Sequence, residues 1–370
     1  MFKNSFKKLL GLAIALMLMI TTVSCSKAAD DSPKEPTTGG QEQEVDKEPE
    51  VVVPVKKEIL LTFAGDCTLG TDKNFNQATS LPAMLVTQNY DYSYFFKNVK
   101  DIFDKDDLTV VNLEGPLTTH DKIYTNKRFN FKGDPELAKT LVEGSIEAVN
   151  LSNNHTYDYG EVGLQDTLKA LEANSVSYFG AEHKYITELQ GISFGFLGYS
   201  IWNEDSALKE KIKSDIRDLR SQGAAIIVMN AHWGIERDYW PNDTQKNMAH
   251  FAIDNGVDLV IGHHPHVVQS IEKYNDKYIF YSLANFAFGG NSNPSDKDTM
   301  IVQVKYNFTD DKLENYGVKV IPTRVSSVNN KNDYCPTPAI GDEKTRIFKK
   351  INDLNINIDF DFDDNFHFAY

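Results

Sequence analysis

The sequence predicts an α/β protein, and three observations support this fold class. Six apolar runs rich in β-branched residues recur along the chain, each run ends in polar residues, and segments with helical periodicity lie between several of them. Strands and helices that alternate in this way are typical of sheets covered by helices. Of the 370 residues, 41% are hydrophobic and 11% aromatic, which is enough for a large packed core.

The six apolar runs predict strands whose carboxyl ends carry polar side chains. The first run is EILLTFAGD, residues 58–66. The other five are DLTVVNLE ending at Glu114, SIEAVNLSNNH ending at His155, AAIIVMNAH ending at His232, GVDLVIGHHPH ending at His266, and KYIFYSLANF around Asn285. The intervening patterns predict helices over residues 91–103, 135–143, 162–173, 207–222 and 244–255.

The pattern changes after residue 288. TMIVQVKYNF and YGVKVIPTRVSSV, on either side of a polar turn, predict antiparallel strands that complete a second sheet. Residues 342–352 predict a short helix. The final NINIDFDFDDNFHFAY is either an edge strand or a loose tail, and its His367 is not expected in a functional site.

The amino-terminal region predicts export and lipid anchoring. Residues 1–24 combine three lysines with a short apolar stretch, which is typical of a signal peptide. The following TTVSC resembles a bacterial lipoprotein cleavage box with Cys25 as the lipid-carrying residue; a plain secretory signal is the alternative, because Thr22 replaces the usual leucine. Residues 25–57 are acidic, contain no aromatic residue and predict a disordered tether. We therefore expect a domain over 58–330, a carboxy-terminal extension over 331–370, and a location in the cell envelope outside the cytoplasm.

The charge balance excludes one class of partner. Lys and Arg number 38 against 53 Asp and Glu, a formal net charge of −15, which argues against nucleic acid held by a basic surface. A bound anion would need a local source of positive charge, such as a metal cation. Three cysteines do not make a disulfide framework.

Residues able to bind metal cluster at the predicted strand ends. In open α/β folds, ligands bind outside the carboxyl ends of the strands, so these side chains are expected to meet at one rim. They are Asp66, Glu114, Asn154, His155, His232, His264 and His266. Oxygen and nitrogen donors without thiolate suit Mn, Fe or Zn, and so large a set is typical of a site for two ions.

The segment IGHHPHVVQ, residues 261–269, holds three of the nine histidines in four positions. Pro265 disfavours helical geometry at the preceding residue, so we expect His264 to be extended. Side chains two apart then point to the same side, which predicts that His264 and His266 converge while His263 faces away. Either the pair binds a metal ion, or the histidines are hydrogen-bonded loop residues.

The motifs GDCTLG, NLEGPLT, SNNHTYDYG, HWGIE, GHHPHVVQ and SLANF occur in order between residues 65 and 286. Together they resemble the bacterial capsule-synthesis CapA family, the poly-gamma-glutamate biosynthesis proteins, which is similar to the calcineurin-like metallophosphoesterases. This resemblance implies a four-layer α/β/β/α sandwich of the metallo-dependent phosphatase type, with a dinuclear metal site.

The resemblance also implies a role for each site residue. Asp66 and His266 would hold one divalent ion, the trio Asn154, His232 and His264 the other, and Glu114 would bridge them. His155 would be the general acid or stabilise developing charge, with Asp158 orienting its ring. The superfamily's Asp-x-His motif is Asp66, Cys67 and Thr68 here, so one ligand of the first ion is missing.

Four further residues have two readings each. Cys67 is either a replacement thiolate ligand or a small buried hydrophobe. Glu236 either supports the site or caps a loop, and Asn285 either orients a ligand histidine or serves a turn. Arg128 is either an anion clamp or a solvated surface residue.

We therefore expect an envelope-anchored, metal-binding protein of capsule or poly-gamma-glutamate biosynthesis or export with a phosphoesterase-like site. The expected partners are the membrane, capsule synthase or export components, and an anionic polymer or phosphoester substrate. One rival is a non-catalytic scaffold for polymer synthesis. Another is an outer-envelope phosphodiesterase without a capsule role.

Overall fold

The computed structural model describes residues 54–369. The signal peptide and nearly all of the predicted tether, including Cys25, lie outside the described residues. The strands are β1 Lys56–Thr68, β2 Thr71–Asp72, β3 Leu108–Leu113, β4 Phe131–Lys132, β5 Ala148–Asn150, β6 Ser177–Phe179, β7 Tyr185–Leu189, β8 Ile192–Ile201, β9 Ile226–Trp233, β10 Leu259–His263, β11 Ile271–Tyr274, β12 Lys277–Phe280, β13 Asn285–Phe288, β14 Asp298–Thr309, β15 Lys312–Arg324, β16 Thr337–Pro338 and β17 His367–Ala369.

The helices lie mostly between these strands. The α-helices are α1 Leu81–Thr87, α2 Lys100–Phe103, α3 Lys139–Glu143, α4 Gly160–Ala173, α5 Ser206–Ser221, α6 Asp243–Asp254 and α7 Gly341–Asp353, and short 3-10 helices span Gln77–Thr79, Tyr92–Phe95 and Pro135–Ala138. Side chains cap the longer ones: Asp205 accepts from two backbone amides at the start of α5, and Asn242 and Gln245 form a capping box on α6.

Two mixed sheets organise the described residues. The larger sheet has the order β16-β15-β14-β1-β3-β5-β6, with β13 also paired to β1 and β17 to β15. The smaller sheet has the order β11-β12-β10-β9-β8-β7. In both sheets the central pairs are parallel, β1 with β3 in one and β9 with β10 in the other, so several strands end at the same edge.

Three apolar clusters show that the molecule has four layers. The first cluster joins the inner faces of the two sheets, for example Phe63 and Val110 from one and Phe196 and Val228 from the other. The second lies between the larger sheet and the helices α1 to α4, and the third between the smaller sheet and helices α5 and α6. This arrangement confirms the α/β/β/α sandwich.

Most predicted helices are present, but the prediction of one helix over residues 91–103 is wrong. The segment forms the 3-10 helix Tyr92–Phe95 and then the short α2. Tyr94, Phe95 and Phe96 are all buried. Three consecutive buried residues cannot share the single stripe that an α-helix turns toward a core, so the chain bends between two short helical turns.

The assignment of the antiparallel pair to a second sheet is also wrong. β14 and β15 form the predicted hairpin, but β14 pairs with β1 and so extends the first sheet. The second sheet instead contains β8, a strand of ten residues that the apolar runs did not include. The chain ends with β17, which pairs with the edge of β15 and is therefore an edge strand. None of the helices within residues 54–369 is both long and apolar enough to cross a membrane.

Candidate metal centre

The site lies where strands of both sheets end. Asp66 lies near the end of β1, Glu114 directly follows β3, and His232 lies near the end of β9. The loops after β5 and β10 carry the remaining residues, Asn154, His155, His264 and His266. The structure thus brings together every residue that the sequence predicted at this rim.

One group of ligand atoms surrounds the end of β9. Atoms of Glu114, His232 and His264 lie within 4.8 Å of one another. The Nε2 of His232 is 3.1 Å from Nδ1 of His264 and 2.7 Å from Oδ1 of Asn154. This is the combination of two imidazoles, one carboxylate and one amide oxygen predicted for the second ion.

A second group lies beside the first and shares Glu114. Its members are Asp66, Glu114 and His266, with ligand atoms again within 4.8 Å of one another. The Nδ1 of His266 is 3.3 Å from Oδ2 of Asp66, and its Nε2 is 3.9 Å from Oε1 of Glu114. This group matches the residues predicted for the first ion.

Glu114 is the strongest indication that the cluster fits a metal ion. Its side chain is fully buried, and neither carboxylate oxygen has a hydrogen-bond partner within residues 54–369. Burial and the nearby Asp66 carboxylate raise the pKa of Glu114 to about 8. A buried carboxylate without partners is unfavourable, and divalent cations held by the two groups would satisfy its oxygens.

The histidines differ in how ready they are to bind metal. Burial lowers the pKa of His232 well below its usual range and that of His264 to about 4, so both rings are neutral, which is the form that ligates metal. Burial also opposes the charged form of His266, but Glu114 and Asp66 outweigh it and raise its pKa to about 9. His266 would therefore release a proton when an ion binds.

His155 has the oriented geometry predicted for a proton-transfer residue. Its Nδ1 is 2.6 Å from Oδ2 of Asp158, a buried carboxylate that can only accept, so the ring proton is on Nδ1 and Nε2 is free to accept. Lys127 pairs with the other oxygen of Asp158. Burial lowers the pKa of His155, and the ring is neutral at pH 7.

Two buried neighbours of the site were missed by sequence reasoning. Asn112 donates from Nδ2 to Oδ1 of Asp66 at 2.8 Å, and His263 contacts the same oxygen through Nδ1 at 3.3 Å. Asn112 lies two residues before Glu114 on the same face of the strand, and this alternation could have identified it.

The prediction that His263 faces away is wrong. His264 has φ 95, so the chain does not continue as an extended strand before Pro265. His263 also pairs with His232 in the parallel register of β10 and β9, which places both residues on the same face. The prediction failed because it assumed extended alternation across a turn.

The structure also shows the surroundings of four residues outside the two ligand groups. Cys67 is fully buried in the cluster between the sheet and its helices, and burial raises its pKa, so the reading as a small hydrophobe holds and no thiolate is available. Arg128 lies 5.0 Å over the ring of Phe129. Glu236 is exposed and faces the groove beside the site. His367 lies at the edge strand β17, 3.1 Å from Asp363.

An open groove of about 570 Å³ leads to the site. His155 and His266 form part of its floor, and Phe75, Phe129 and Arg237 lie on its walls. Aromatic rings also pack directly on the site: Phe131 on His155, Phe288 on His266 and Trp202 on His264, with ring centroids 4.4, 4.9 and 4.9 Å apart. The groove is larger than a lone phosphate requires, so an extended ligand could reach the cluster.

Comparison with known proteins assigns the chain to a family. The family described as "Bacterial capsule synthesis protein PGA_cap" matches residues 60–290, more than half of the chain. The chain belongs to this family. The PGA_cap match contains every residue of the two ligand groups together with His155 and Asp158.

Individual relatives agree with this assignment. The chain is 29% identical over 285 residues to "Capsule biosynthesis protein CapA" of Bacillus anthracis, covering 69% of this chain and 66% of that protein. It is 32% identical over 224 residues to "PGA biosynthesis protein CapA" of Bacillus subtilis (strain 168), covering 55% and 59%. The match thus spans less than two thirds of the length of each relative.

Solved structures give a weaker likeness. A hypothetical protein from Thermus thermophilus matches with a TM-score of 0.43 and 13% identity over 71% of this chain and 99% of that one. A putative 5'-nucleotidase from Staphylococcus aureus matches with a TM-score of 0.40 and 12% identity over 80% and 58%.

Proposed function

We propose that this PGA_cap protein is a divalent-metal-dependent hydrolase that acts in capsule or poly-gamma-glutamate biosynthesis or export. The observation that supports this most is the position of Glu114, which belongs to both ligand groups and has two buried oxygens that no group within residues 54–369 satisfies. Mn, Fe or Zn would suit the mixed nitrogen and oxygen donors.

The chemistry would be divided between the ions and the protein. Bound divalent ions lower the pKa of water and polarise a phosphoryl or carbonyl oxygen. His155, held by Asp158, accepts a proton through Nε2, which lies 3.9 Å from Glu114. Because its ring is neutral at pH 7, His155 can donate a proton to a leaving group only after it has first taken one up.

The groove supports an anionic, extended substrate. Arg237 lines it, as do Glu236 and Asp296, and Lys127 beside His155 is paired with Asp158. Since the protein as a whole is acidic and the groove has more acids than bases, bound metal would supply the local positive field that an anion requires. A phosphoester or the amide of a carboxylate-rich polymer fits this description.

An assay of the purified protein would test the hydrolase proposal. Generic phosphodiesters and a poly-gamma-glutamate chain would each be incubated with Mn²⁺, Fe²⁺ or Zn²⁺ and with a chelator. We expect turnover that the chelator abolishes and that His232→Ala lowers at least ~100-fold, while the exposed Lys349→Met changes nothing. Turnover that His232→Ala leaves intact would contradict the proposal.

A non-catalytic scaffold for polymer synthesis is the second candidate, and Thr68 favours it. Thr68 occupies the position of an expected ligand, and its hydroxyl cannot replace an imidazole as a metal ligand of equal strength. Capsule formation in a deletion strain separates the two functions. If the variant His232→Ala, shown to be free of metal, still restores capsule, the scaffold function is correct.

The cellular setting is part of the same proposal. The lipoprotein-like TTVSC would anchor the domain through lipid on Cys25, and the acidic tether would give it a reach of roughly 30 Å from the membrane toward synthase or export components. Fractionation of cells that express Cys25→Ser tests this: the variant should leave the membrane fraction. If it stays there, lipid anchoring is wrong.

A further inference from the structure

The two proposed ion positions differ in their number of protein ligands. Glu114, Asn154, His232 and His264 offer four donors to the second ion, whereas the first has only Asp66, Glu114 and His266. A divalent ion with three protein ligands keeps open positions that water or a further protein donor can fill. One more donor beside Asp66 would make the two positions equal.

Asn285 lies beside Asp66 in the sheet. It is the first residue of β13, and it pairs with Asp66 in the parallel register of β1 and β13. Residues directly paired in adjacent strands present their side chains on the same face. Asn285 is only 4% exposed and lines the groove together with His266.

The amide of Asn285 has a defined orientation. Its Nδ2 donates to the backbone carbonyl of His266 at 3.4 Å. A carbonyl can only accept, so the nitrogen must face it and the oxygen Oδ1 must face away. This buried oxygen has no hydrogen-bond partner in the described part of the chain, which is costly unless another group satisfies it.

We propose that Oδ1 of Asn285 is the fourth protein ligand of the first ion, alongside Asp66, Glu114 and His266. This inference rests on the metal centre proposed above and adds a residue to it. The first position then has three oxygen donors and one nitrogen, while the second has two of each. Hard cations such as Mg²⁺ or Mn²⁺ suit the first position, and the second also suits Zn²⁺ or Fe²⁺.

Asn285 could instead serve only to position His266 through its donated hydrogen bond. Asn285→Asp separates the two roles, because aspartate keeps an oxygen at this place but cannot donate to the His266 carbonyl. A ligand role predicts that Asn285→Asp retains the affinity for the first ion and that Asn285→Ala weakens it. A positioning role predicts that both variants weaken it.

The test measures metal content and Mn²⁺ titration by calorimetry on the purified full chain. We expect two ions in the wild type, and in Asn285→Ala a first-ion affinity at least about tenfold weaker, with the second ion unchanged. Asn285→Asp should bind two ions. Asn332→Ala is the matched control, because the buried Asn332 also donates its amide to backbone carbonyls, those of Phe288 and Asn291; it should keep both ions.

The outcomes distinguish this inference from the proposed function. If the wild type binds no metal, the metal centre itself is wrong. If the wild type binds two ions, His266→Ala loses one, and Asn285→Ala keeps both, only the role of Asn285 is overturned. If Asn285→Ala does not fold, Asn285→Asp decides alone: two ions support the ligand role and one ion contradicts it.

Discussion

Glu114 and the histidines around it would bind the metal ions, and their surroundings shift the pKa of each of them differently. Burial lowers the pKa of His232 and His264, whereas Glu114 and Asp66 outweigh burial and raise the pKa of His266. The identities of these residues were readable from the sequence because they follow apolar runs. The contact of His263 with Asp66 was not, because β10 and β1 belong to different sheets, and local sequence does not give the packing of one sheet on the other.

Replacing His155 tests its role in proton transfer. His155→Ala should lower kcat/KM by roughly 10²- to 10⁴-fold, the usual contribution of a positioned acid or base, and should leave the metal content at two ions. Asp158→Asn should also lower activity, because an amide can donate to Nδ1 and so favour the wrong ring tautomer. Steady-state kinetics with metal analysis checks both. Loss of metal in His155→Ala would mean that the residue acts through the ion site.

The charged His266 predicts a pH dependence of the metal-free protein. Its folded pKa of about 9 exceeds the ordinary 6.5, so the folded state holds a proton that the unfolded chain releases. The stability that this proton gives is complete below about 6.5 and is lost as the pH rises through about 9. In the presence of a chelator, Tm should therefore fall by several degrees between these two values.

His266→Gln is the control for that experiment, because glutamine does not titrate. The variant should show a flatter Tm profile over the same pH range. A variant whose Tm falls as steeply as that of the wild type would show that other groups cause the loss.

At the scale of elements, helices with a clear apolar stripe were predicted to within one or two residues. The helix predicted over residues 207–222 is observed as α5, Ser206–Ser221. The helix predicted over residues 244–255 is observed as α6, Asp243–Asp254. Strand β8 was missed, and its Gly195 and Gly198 interrupt the apolar run GISFGFLGYSI. Both glycines pack closely, against Leu219 and Asn150 respectively, which only the tertiary structure reveals.

The loop that carries His264 and His266 depends on close packing of β10. A Cβ atom added at Gly262 would lie 2.0 Å from the carbonyl oxygen of Tyr281 and 2.7 Å from Nε1 of Trp233. Gly262→Ala should therefore cost roughly 1–3 kcal/mol in the free energy of unfolding and also weaken metal binding, since the displaced strand leads into the ligand loop.

Gly223→Ala is the matched control. Gly223 has φ +94, and no described residue lies within 4 Å of its added Cβ, so the substitution strains the backbone without displacing a neighbour. It should lower stability by roughly 1–2 kcal/mol and leave the metal affinity unchanged. Urea unfolding and Mn²⁺ titration of both variants check this. Equal effects on metal binding would contradict the proposed link between β10 and the site.

At the scale of the whole molecule, residues beyond the family match take part in the groove. The PGA_cap match ends at residue 290, and the wall of the groove continues through Asn291 to Asp296. Helix α7 holds this wall: Lys350 pairs with Asp296 at 2.6 Å, and Arg346 forms two bonds with Asp298 at 2.8 and 2.6 Å. The predicted boundary between domain and extension at residue 330 stays a prediction, and α7 packs Ile347 and Ile351 into the core shared by the two sheets.

Removing Arg346 tests the attachment of α7. Asp298 is buried, and burial raises the pKa of its carboxyl group. Arg346 and Lys350 lower this pKa by more than burial raises it, so the carboxylate stays charged and needs both partners. Arg346→Met should cost roughly 1–3 kcal/mol in the free energy of unfolding.

Lys349→Met is the comparison, because Lys349 and its partner Asp353 are both exposed; it should cost no more than about 0.5 kcal/mol. Urea unfolding measures both. Equal costs would mean that α7 is not held by the ion pair between the exposed Arg346 and the buried Asp298.

We propose that strand ends from both sheets hold two divalent ions in the two ligand groups that share Glu114. Crystals of the protein grown with Mn²⁺, and anomalous diffraction measured at the manganese edge, test it most directly. We expect two anomalous peaks about 3.5–4 Å apart beside the Glu114 carboxylate. A map with no peak beside Glu114, in crystals whose solution contains saturating Mn²⁺, would contradict it.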